Sequence, residues 1–524
     1  MKSTCSVIPD FADIVVIGSG IGGLTAAALL AKAGKSVIVL EQHDRPGGYA
    51  HGFTRKRYHF DCGVHLISGC GMEGYEGGQV IRKILQAIGV YQHINFIRID
   101  SFATVHYPDL KITLPTSVPA FIQQMAGLFP QQIAGLTAFL ALCLALAQQA
   151  TQADDVMRTQ PSAVWQQQLA LLLKYKHYTL SEAWRDFIQD PQLQAMLACA
   201  WPYLGLPPSQ VSFVYWATMF MGYLVEGAYY CEGGFQKLPD SLVTGLTQAG
   251  GSIYYQTRVR QIKIAQNQVQ SVILASGKSI QTHTVIANAD MRHTVSQLVG
   301  EAYFPKRYLS RIKQMQPSQS IFVVYLATDL DLHLLNLQHE NFYYEQLDPE
   351  RNYANSLSGN ENLSWLSITI PTLLDPSLAP AGEHLIILTR LISFDAQTCW
   401  ATVKPAFTAA LVDYANQKIP GLKAHIRHLE AGSPATLARY TLNYQGAAYG
   451  WAMTPNQTGA NRVANKSPLA GLYFAGHWAA PGGGIYGVSY SGMSTAQQIL
   501  NIPTQQQFWQ LFNPLQDNDT TPRL

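Results

Sequence analysis

Apolar and polar positions follow different rhythms in different parts of this chain. At Ile14 to Ile17 four apolar residues run without a break, the pattern of a parallel strand buried on both faces. Leu24, Ala27, Ala28, Leu30 and Ala31 then recur at helical spacing, and Val37 to Leu40 predicts a second strand. Further on, strands are predicted around Val259 to Ile264, Val269 to Leu274 and Ile280 to Ala287, with turns at Asn267 and Gly277. Apolar runs at 320–327, 365–370 and 384–391 predict an antiparallel sheet walling a second domain. Near the end, Leu472 to Ala475 reads as a strand, Gly476 to Gly484 as a turn and Val488 onward as a helix.

Between these patterned regions lies a helical, glutamine-rich part reaching to Val225. It holds two stretches without charge, Ile112 to Ala153 and Leu193 to Val225. The apolar run at 133–147 is shorter than the roughly 20 residues that span a bilayer, and the second stretch is broken by Pro202, Pro207 and Pro208. Neither is expected to be transmembrane; both fit a helical wall or an interfacial surface that admits lipids. Only 13% of residues are charged, about half the usual share, so an apolar partner or cavity is expected. A net charge of +2 without long basic runs argues against nucleic acid. The seven cysteines show neither C-x-x-C nor metal-ligand spacing, so free thiols and no metal site are expected. No apolar leader precedes Ile14, which leads us to expect a cytoplasmic protein. After Pro503 the tail is polar except for Phe508, Trp509, Leu511 and Phe512, a cluster expected to be packing.

Chemistry concentrates at the first predicted turn. Gly18, Gly20 and Gly23 satisfy G-x-G-x-x-G between strand and helix, and Glu41 ends the second strand 23 positions after Gly18. Such glycines let backbone approach a pyrophosphate at a helix N-terminus, and the carboxylate accepts hydrogen bonds from a ribose diol. The continuation through Arg45, Gly47 and Gly48 resembles the flavoprotein form of this pattern and favours FAD over NAD. No second such unit follows, so a separate nicotinamide domain is not expected. The late stretch "LYFAGHWAAPGGGIYGVSYSG" supplies a strand, a glycine turn and a helix start, whose amides can stabilise negative charge on a reduced flavin. The fold expected is α/β: a discontinuous Rossmann-type FAD-binding domain with an inserted α+β substrate domain containing an antiparallel sheet and a helical lid. The expected boundaries are 10–75, 226–300 and 465–503 for the first domain, 76–225 and 301–464 for the second, and 504–524 for the tail.

Several further segments extend the likeness over nearly the whole chain: "FDCGVH" (60–65), "WPYLGLPPSQVSF" (201–213), "GAYYCEGGFQKLPDSL" (227–242) and "ARYTLNYQGAAYGWAMTPNQTG" (438–459). With the two glycine motifs they resemble the phytoene desaturase, carotenoid isomerase and retinol saturase family of FAD-dependent enzymes. "FDCGVHLISG" is more similar to the saturase branch. The resemblance implies that Gly18, Gly20, Gly22 and Gly23 lie on the pyrophosphate, with Glu41 on the adenosine ribose. Arg45, Gly47 and Gly48 would continue around FAD, and Val259 would offer its backbone to the adenine. Gly476, His477, Gly487 and Val488 would flank the ribityl chain and flavin ring. Many flavoproteins carry an acid where this chain has His477, which can make one hydrogen bond but lacks the two-oxygen geometry.

The resemblance also implies an oxidoreductase or isomerase acting on conjugated double bonds of a carotenoid, retinoid or other isoprenoid lipid, by saturation, desaturation or cis–trans isomerisation. A peripheral contact with a membrane surface would go with such a substrate. His65 is the expected proton donor, with Tyr449 and Tyr440 behind it, and Glu226 would have a raised pKa if buried. An amine-oxidase-like enzyme and a Rab-inhibitor-like lipid escort protein are the alternatives; an escort would not need both flavin motifs.

Overall fold

The computed structural model describes residues 7–75, 77–357, 363–395 and 397–512. Its first sheet is five-stranded and all parallel, in the order Leu472–Phe474, Thr284–Ala287, Ile14–Ile17, Val37–Leu40, Ser252–Tyr254. The unbroken apolar runs follow from burial on both faces: every residue of Ile14–Ile17 and Val37–Leu40 is buried. Because the strands are parallel, their C-terminal ends share one edge, where open α/β sheets bind ligands. Gly18, Glu41, Asn288 and Gly476 all stand at or just beyond that edge.

Two helices cover one face. Ile21–Lys32 packs against Gly484–Ile499 so closely that a Cβ on Gly492 would lie 2.3 Å from the Gly22 carbonyl oxygen. The expected single strand from Ile280 to Ala287 is two. Ser279–Gln281 closes a small antiparallel sheet with Val259–Ala265 and Gln268–Leu274, and Thr284–Ala287 joins the parallel sheet. Buried Thr282 makes the break, its hydroxyl donating to the carbonyls of Asp13 and Thr284.

The second large sheet has seven strands, in the order Ile426–Gly432, Ser320–Thr328, His384–Ile392, Trp365–Thr369, Glu340–Tyr344, Ser101–Tyr107, Leu110–Pro115. It is mixed where a purely antiparallel sheet was expected, since Glu340–Tyr344 runs parallel to Ser101–Tyr107. Two of its strands come from the part of the chain expected to be helical. Alternation along each strand separates the faces. Phe322, Val324, Leu326, Ile386 and Leu388 meet the helix Trp400–Lys418, while Val323, Tyr325, Phe342, Tyr344 and Trp365 face the main core.

The charge-poor region forms a helical layer. Ile133–Thr159 is one helix of 27 residues, longer than its most apolar run, and by length and composition it could cross a membrane. It continues past the run through Gln148, Gln149, Ala150, Gln152 and Ala153, which are good helix formers. One side, including Leu136, Phe139, Leu140, Cys143 and Leu146, is buried. There Phe139 stacks on Phe213 of the neighbouring helix Phe213–Val225 at 5.5 Å. Full burial of such a side chain contributes about 1.5–3 kcal/mol. The described cysteines are unpaired; Cys5 lies outside the described residues. Phe508 of the tail is buried, and Gln505 ties it to the long helix through Asp155 and Thr151.

Candidate active site

A cleft opens at the shared strand edge. It is lined by Gly18, Gly20, Gly22, Glu41, Arg45, Gly47, Gly48, Val259, Gly476, His477, Val488, Tyr440 and Tyr449, among others. The glycine motifs from the two ends of the chain meet here: a Cβ on Gly22 would lie 2.7 Å from the Gly476 nitrogen and 3.0 Å from the Val488 carbonyl oxygen. Gly18 and Gly476 also have φ of +91° and +92°, where a side chain strains the backbone. Sequence reasoning missed Asn288, which fills the centre of this junction. A Cβ on Gly20 would lie 2.6 Å from its side-chain nitrogen, and one on Gly476 equally close to its side-chain oxygen. Its place after a parallel strand, in "VIANAD", was the available signal.

Glu41 is buried and oriented from three sides. Its carboxylate accepts the Ser19 N–H and hydroxyl and the His43 N–H, each at 2.7 Å. The backbone around it is pinned by Glu41 N–H to Tyr254 and Thr257 N–H to Glu41, which brings the start of the strand Val259–Ala265 beside the carboxylate. Arg45 braces the next turn by donating to the Gly52 carbonyl at 3.0 Å and pairing with Asp44.

Two expected cofactor residues, Gly23 and Gly487, are not among the residues that line the cleft. Gly23 is in the first turn of the helix Ile21–Lys32, where a Cβ would be 2.6 Å from the Gly18 carbonyl oxygen. Gly487 faces Gly482 and the Tyr215 hydroxyl, each 3.1 Å from the place of a Cβ. The helix begins at Gly484 rather than Val488, so the free amides sit one turn earlier than expected.

His477 is held neutral. Burial, with the charge of Arg462, pushes its pKa down to about 3, and its ring approaches Asn443 Oδ1 at 3.5 Å. Arg462 is itself buried and donates to the carbonyls of His477, Trp451, Gln457 and Ala479. A cation therefore stands behind the position where other flavoproteins place an acid. Asn443 links this wall to the fingerprint side: it accepts from Trp478 at 2.8 Å and donates to the Tyr49 hydroxyl at 3.2 Å.

His65, the expected proton donor, is held neutral. Burial, reinforced by His339, lowers its pKa to about 3, and its Nδ1 is buried without a partner. At neutral pH it carries no imidazolium proton to give. Tyr449 lines the cleft and donates to the Pro202 carbonyl at 2.9 Å; burial raises its pKa, so it stays a phenol. Tyr440 is 45% exposed at the cleft mouth.

Comparison with known proteins agrees with this geometry. A family model described as flavin containing amine oxidoreductase matches residues 21–500. The chain belongs to that family. As a flavin-containing amine oxidoreductase family member it is an FAD-dependent oxidoreductase, and the glycine cradle, which a Cβ would fill at each point, fits that cofactor. Curated relatives of this family member include rat all-trans-retinol 13,14-reductase, 26% identical over 91% of this chain and 84% of that protein. Prolycopene isomerase of Arabidopsis thaliana is 26% identical over 93% and 82%. Phytoene desaturase (lycopene-forming) of Pseudescherichia vulneris is 27% identical over 93% and 98%. Among solved structures, an oxidoreductase from Methanosarcina mazei superposes with a TM-score of 0.61 at 19% identity, over 92% of this chain and 99% of that one. A putrescine oxidase does so with 0.62 at 15%, over 94% and 99%; these two likenesses show the shared fold.

Proposed function

We propose that this flavoenzyme acts on the conjugated double bonds of an isoprenoid lipid, a carotenoid or retinoid, by saturation, desaturation or cis–trans isomerisation. The observation that carries the reading is the neutral aromatic packing directly behind Tyr449 of the cleft lining. Tyr449 leads to Pro202, and the adjacent Tyr203 packs on Phe342 at 5.4 Å and on Tyr223 at 6.1 Å. Tyr223 stacks on Phe102 at 5.6 Å. Glu340, the acid on this face, has its pKa raised by burial to about 7 and accepts hydroxyl hydrogen bonds from Ser367 and Thr369. Such a surface suits an uncharged conjugated chain. The three curated relatives carry names of enzymes acting on retinol, prolycopene and phytoene.

Bound FAD supplies hydride transfer and its reverse. The chain's own residues divide the remaining work. Gly18, Gly20, Gly22, Gly47 and Gly48 admit the pyrophosphate, Glu41 holds the ribose, and Arg45 braces the turn between them. Val259 offers backbone to the adenine, and Gly476, His477 and Val488 bound the flavin end. Tyr449 orients the substrate, and the aromatic wall excludes water.

A lipid substrate needs an entry surface, and the outer side of the helix Ile133–Thr159 offers one. Ala134, Ala138 and Ala141 are exposed there, and Leu128, Met157 and Val164 are exposed on the same helix or beside it in sequence. Peripheral membrane contact through this layer belongs to the proposal, with liposome flotation as its check.

The deciding experiment incubates oxidised and reduced holoenzyme with a panel of carotenoids, retinoids and polar amines. Polyene products heavier by two hydrogens, lighter by two, or isomeric are expected and separate the three reactions. Turnover of amines with no polyene converted would overturn the reading.

A further inference from the structure

Arg462 is a buried cation whose partners are all neutral. Nη1 donates to the Trp451 and Gln457 carbonyls at 3.2 and 3.4 Å and approaches Met453 Sδ at 3.3 Å. Nε donates to the Ala479 carbonyl at 3.4 Å, and Nη2 donates to that of His477. Only 2% of the residue is exposed, and among the described residues it forms no ion pair. A guanidinium kept from water is costly unless an anion answers it. The neighbouring groups supply none. Exposed Arg311 donates to the main-chain carbonyl of Arg462 at 3.1 Å. Burial pushes Tyr215 up to about 12 and, with Arg462, takes His477 down to about 3, so both are uncharged at neutral pH. The cleft carboxylates are held elsewhere, Glu41 by Ser19 and His43, Asp290 by the His293 and Tyr444 N–H groups. Burial lowers Arg462 itself only to about 10, so its charge remains.

The open side of this arrangement is the cleft. His477 and Trp478 line it, and Arg462 holds the carbonyl of the peptide that joins them. Further along the same turn, Tyr215 donates to the Gly483 carbonyl at 2.8 Å. The two supports meet: a Cβ on Gly482 would lie 2.9 Å from the Tyr215 hydroxyl and 3.1 Å from Sδ of Met453, the partner of Arg462. In a trans peptide the N–H points away from the carbonyl. The N–H opposite the Gly483 carbonyl belongs to Gly484, which lines the cleft and starts its helix, and among the described residues that N–H has no partner. Space in front of it is open, since a Cβ on Gly484 would meet nothing within 4 Å. The turn is thus held from behind by a cation and a phenol and presents a free donor to the cleft.

We propose that Arg462 is the buried counter-charge of the reduced cofactor, stabilising through the turn His477–Gly484 the negative charge that FAD gains on reduction. This rests on the reading that His477 bounds the flavin end, and deepens it by naming the group that sets the potential there. Arg462 touches neither cofactor nor substrate, so it is a positioning residue. Two electrons taken up with one proton leave a flavin one charge more negative, and a second proton would cancel that charge. The electrons come from the substrate or donor of the oxidoreductase reaction. A fixed cation behind the turn favours the charged product without giving up a proton of its own.

The test measures the two-electron potential of bound FAD against redox dyes in the parent holoenzyme, Arg462→Gln and Arg462→Lys. Arg462→Gln should weaken binding of reduced relative to oxidised flavin about tenfold, which lowers the potential by about 30 mV. Arg462→Lys keeps the charge with fewer donors and should recover most of that loss. The parent alone gives a readout that needs no variant to fold. Around pH 7 its potential should fall by about 30 mV per tenfold drop in proton concentration, the slope of one proton with two electrons. A slope twice as steep, or a flavin-loaded Arg462→Gln with the parental potential, would overturn the counter-charge. Equal loss of affinity for oxidised and reduced FAD would overturn it too, assigning Arg462 to the pyrophosphate. His477→Asn checks the placement separately. Shifted flavin absorption bands in that variant uphold His477 at the flavin end even where the counter-charge fails; unmoved bands sink that placement and leave the counter-charge to be decided by the Arg462 potentials.

Discussion

At the cleft, Gly18, Gly20, Gly22 and Gly476 keep side chains out, whereas on the inner face of the seven-stranded sheet Tyr325, Phe342, Tyr344 and Trp365 crowd them in. The first region exposes backbone, at points where a single methyl group would collide with main-chain or Asn288 atoms. The second is filled with large, neutral side chains packed in the core. Fit at the cleft therefore depends on spacing, and fit in the sheet face on bulk.

The sharpest way to break that contrast is to put a side chain into the backbone region. Gly22→Leu should abolish flavin retention, because its Cβ meets the backbone of Gly476 and Val488; overpacking of this kind costs about 1–3 kcal/mol or more. The check is flavin absorbance per chain after gel filtration, and a yellow variant would show that the two motifs can separate without harm. Next in size, Glu41→Ala should weaken FAD binding by about 1–3 kcal/mol, since charge-assisted hydrogen bonds to the ribose are lost. Titration of apoprotein with FAD measures it; an unchanged Kd would assign the ribose to another group.

Protonation sharpens the comparison further. His477 is depressed from 6.5 to about 3 in the folded protein, so the unfolded chain binds the extra proton between those values. Its contribution to stability is present above pH 6.5 and is lost as pH falls toward 3. Glu226 and Glu340, raised from 4.5 to about 7, have the opposite slope: their stabilising effect is full below pH 4.5 and is lost as pH rises through 7. Urea midpoints of His477→Asn against the parent isolate the first effect, and the difference should shift in favour of the variant as pH falls. A pH-independent difference would show that His477 stays solvated. The smallest effect belongs to the aromatic wall. Tyr203 has a buried hydroxyl without a partner, so Tyr203→Phe should raise stability by about 1 kcal/mol. A loss in the melting experiment would reveal a partner for that hydroxyl.

The same contrast explains what could be read from the sequence. Gly18 to Glu41 and the return at Leu472 to Gly476 were legible because strand, turn and acid follow one another at fixed spacing. The helix start at Gly484 was missed because Gly484 and Gly487 are poor helix formers on their own. The strands Ser101–Tyr107 and Glu340–Tyr344 pair in parallel across more than two hundred residues, and no local pattern records such a partner. Glu226 reads as an ordinary surface acid at the end of an apolar stretch; only the packing of Gly69, Gly78 and Tyr486 around it shows that it is enclosed.

The contact of Gly22 with Gly476 and Gly492 also sets an order of events during synthesis. The first strand, helix and turn leave the ribosome early, but their glycine face is covered only when Gly476 and Gly492 arrive more than 400 residues later. At about 5–20 residues per second, that interval is roughly 20 to 90 seconds. Throughout it the chain offers an open, backbone-rich edge that the cofactor cannot yet close. On the proposed cofactor site, flavin capture would be a terminal checkpoint: a nascent chain arrested before Leu472 is expected to be colourless, and acquiring colour would certify that both ends have met.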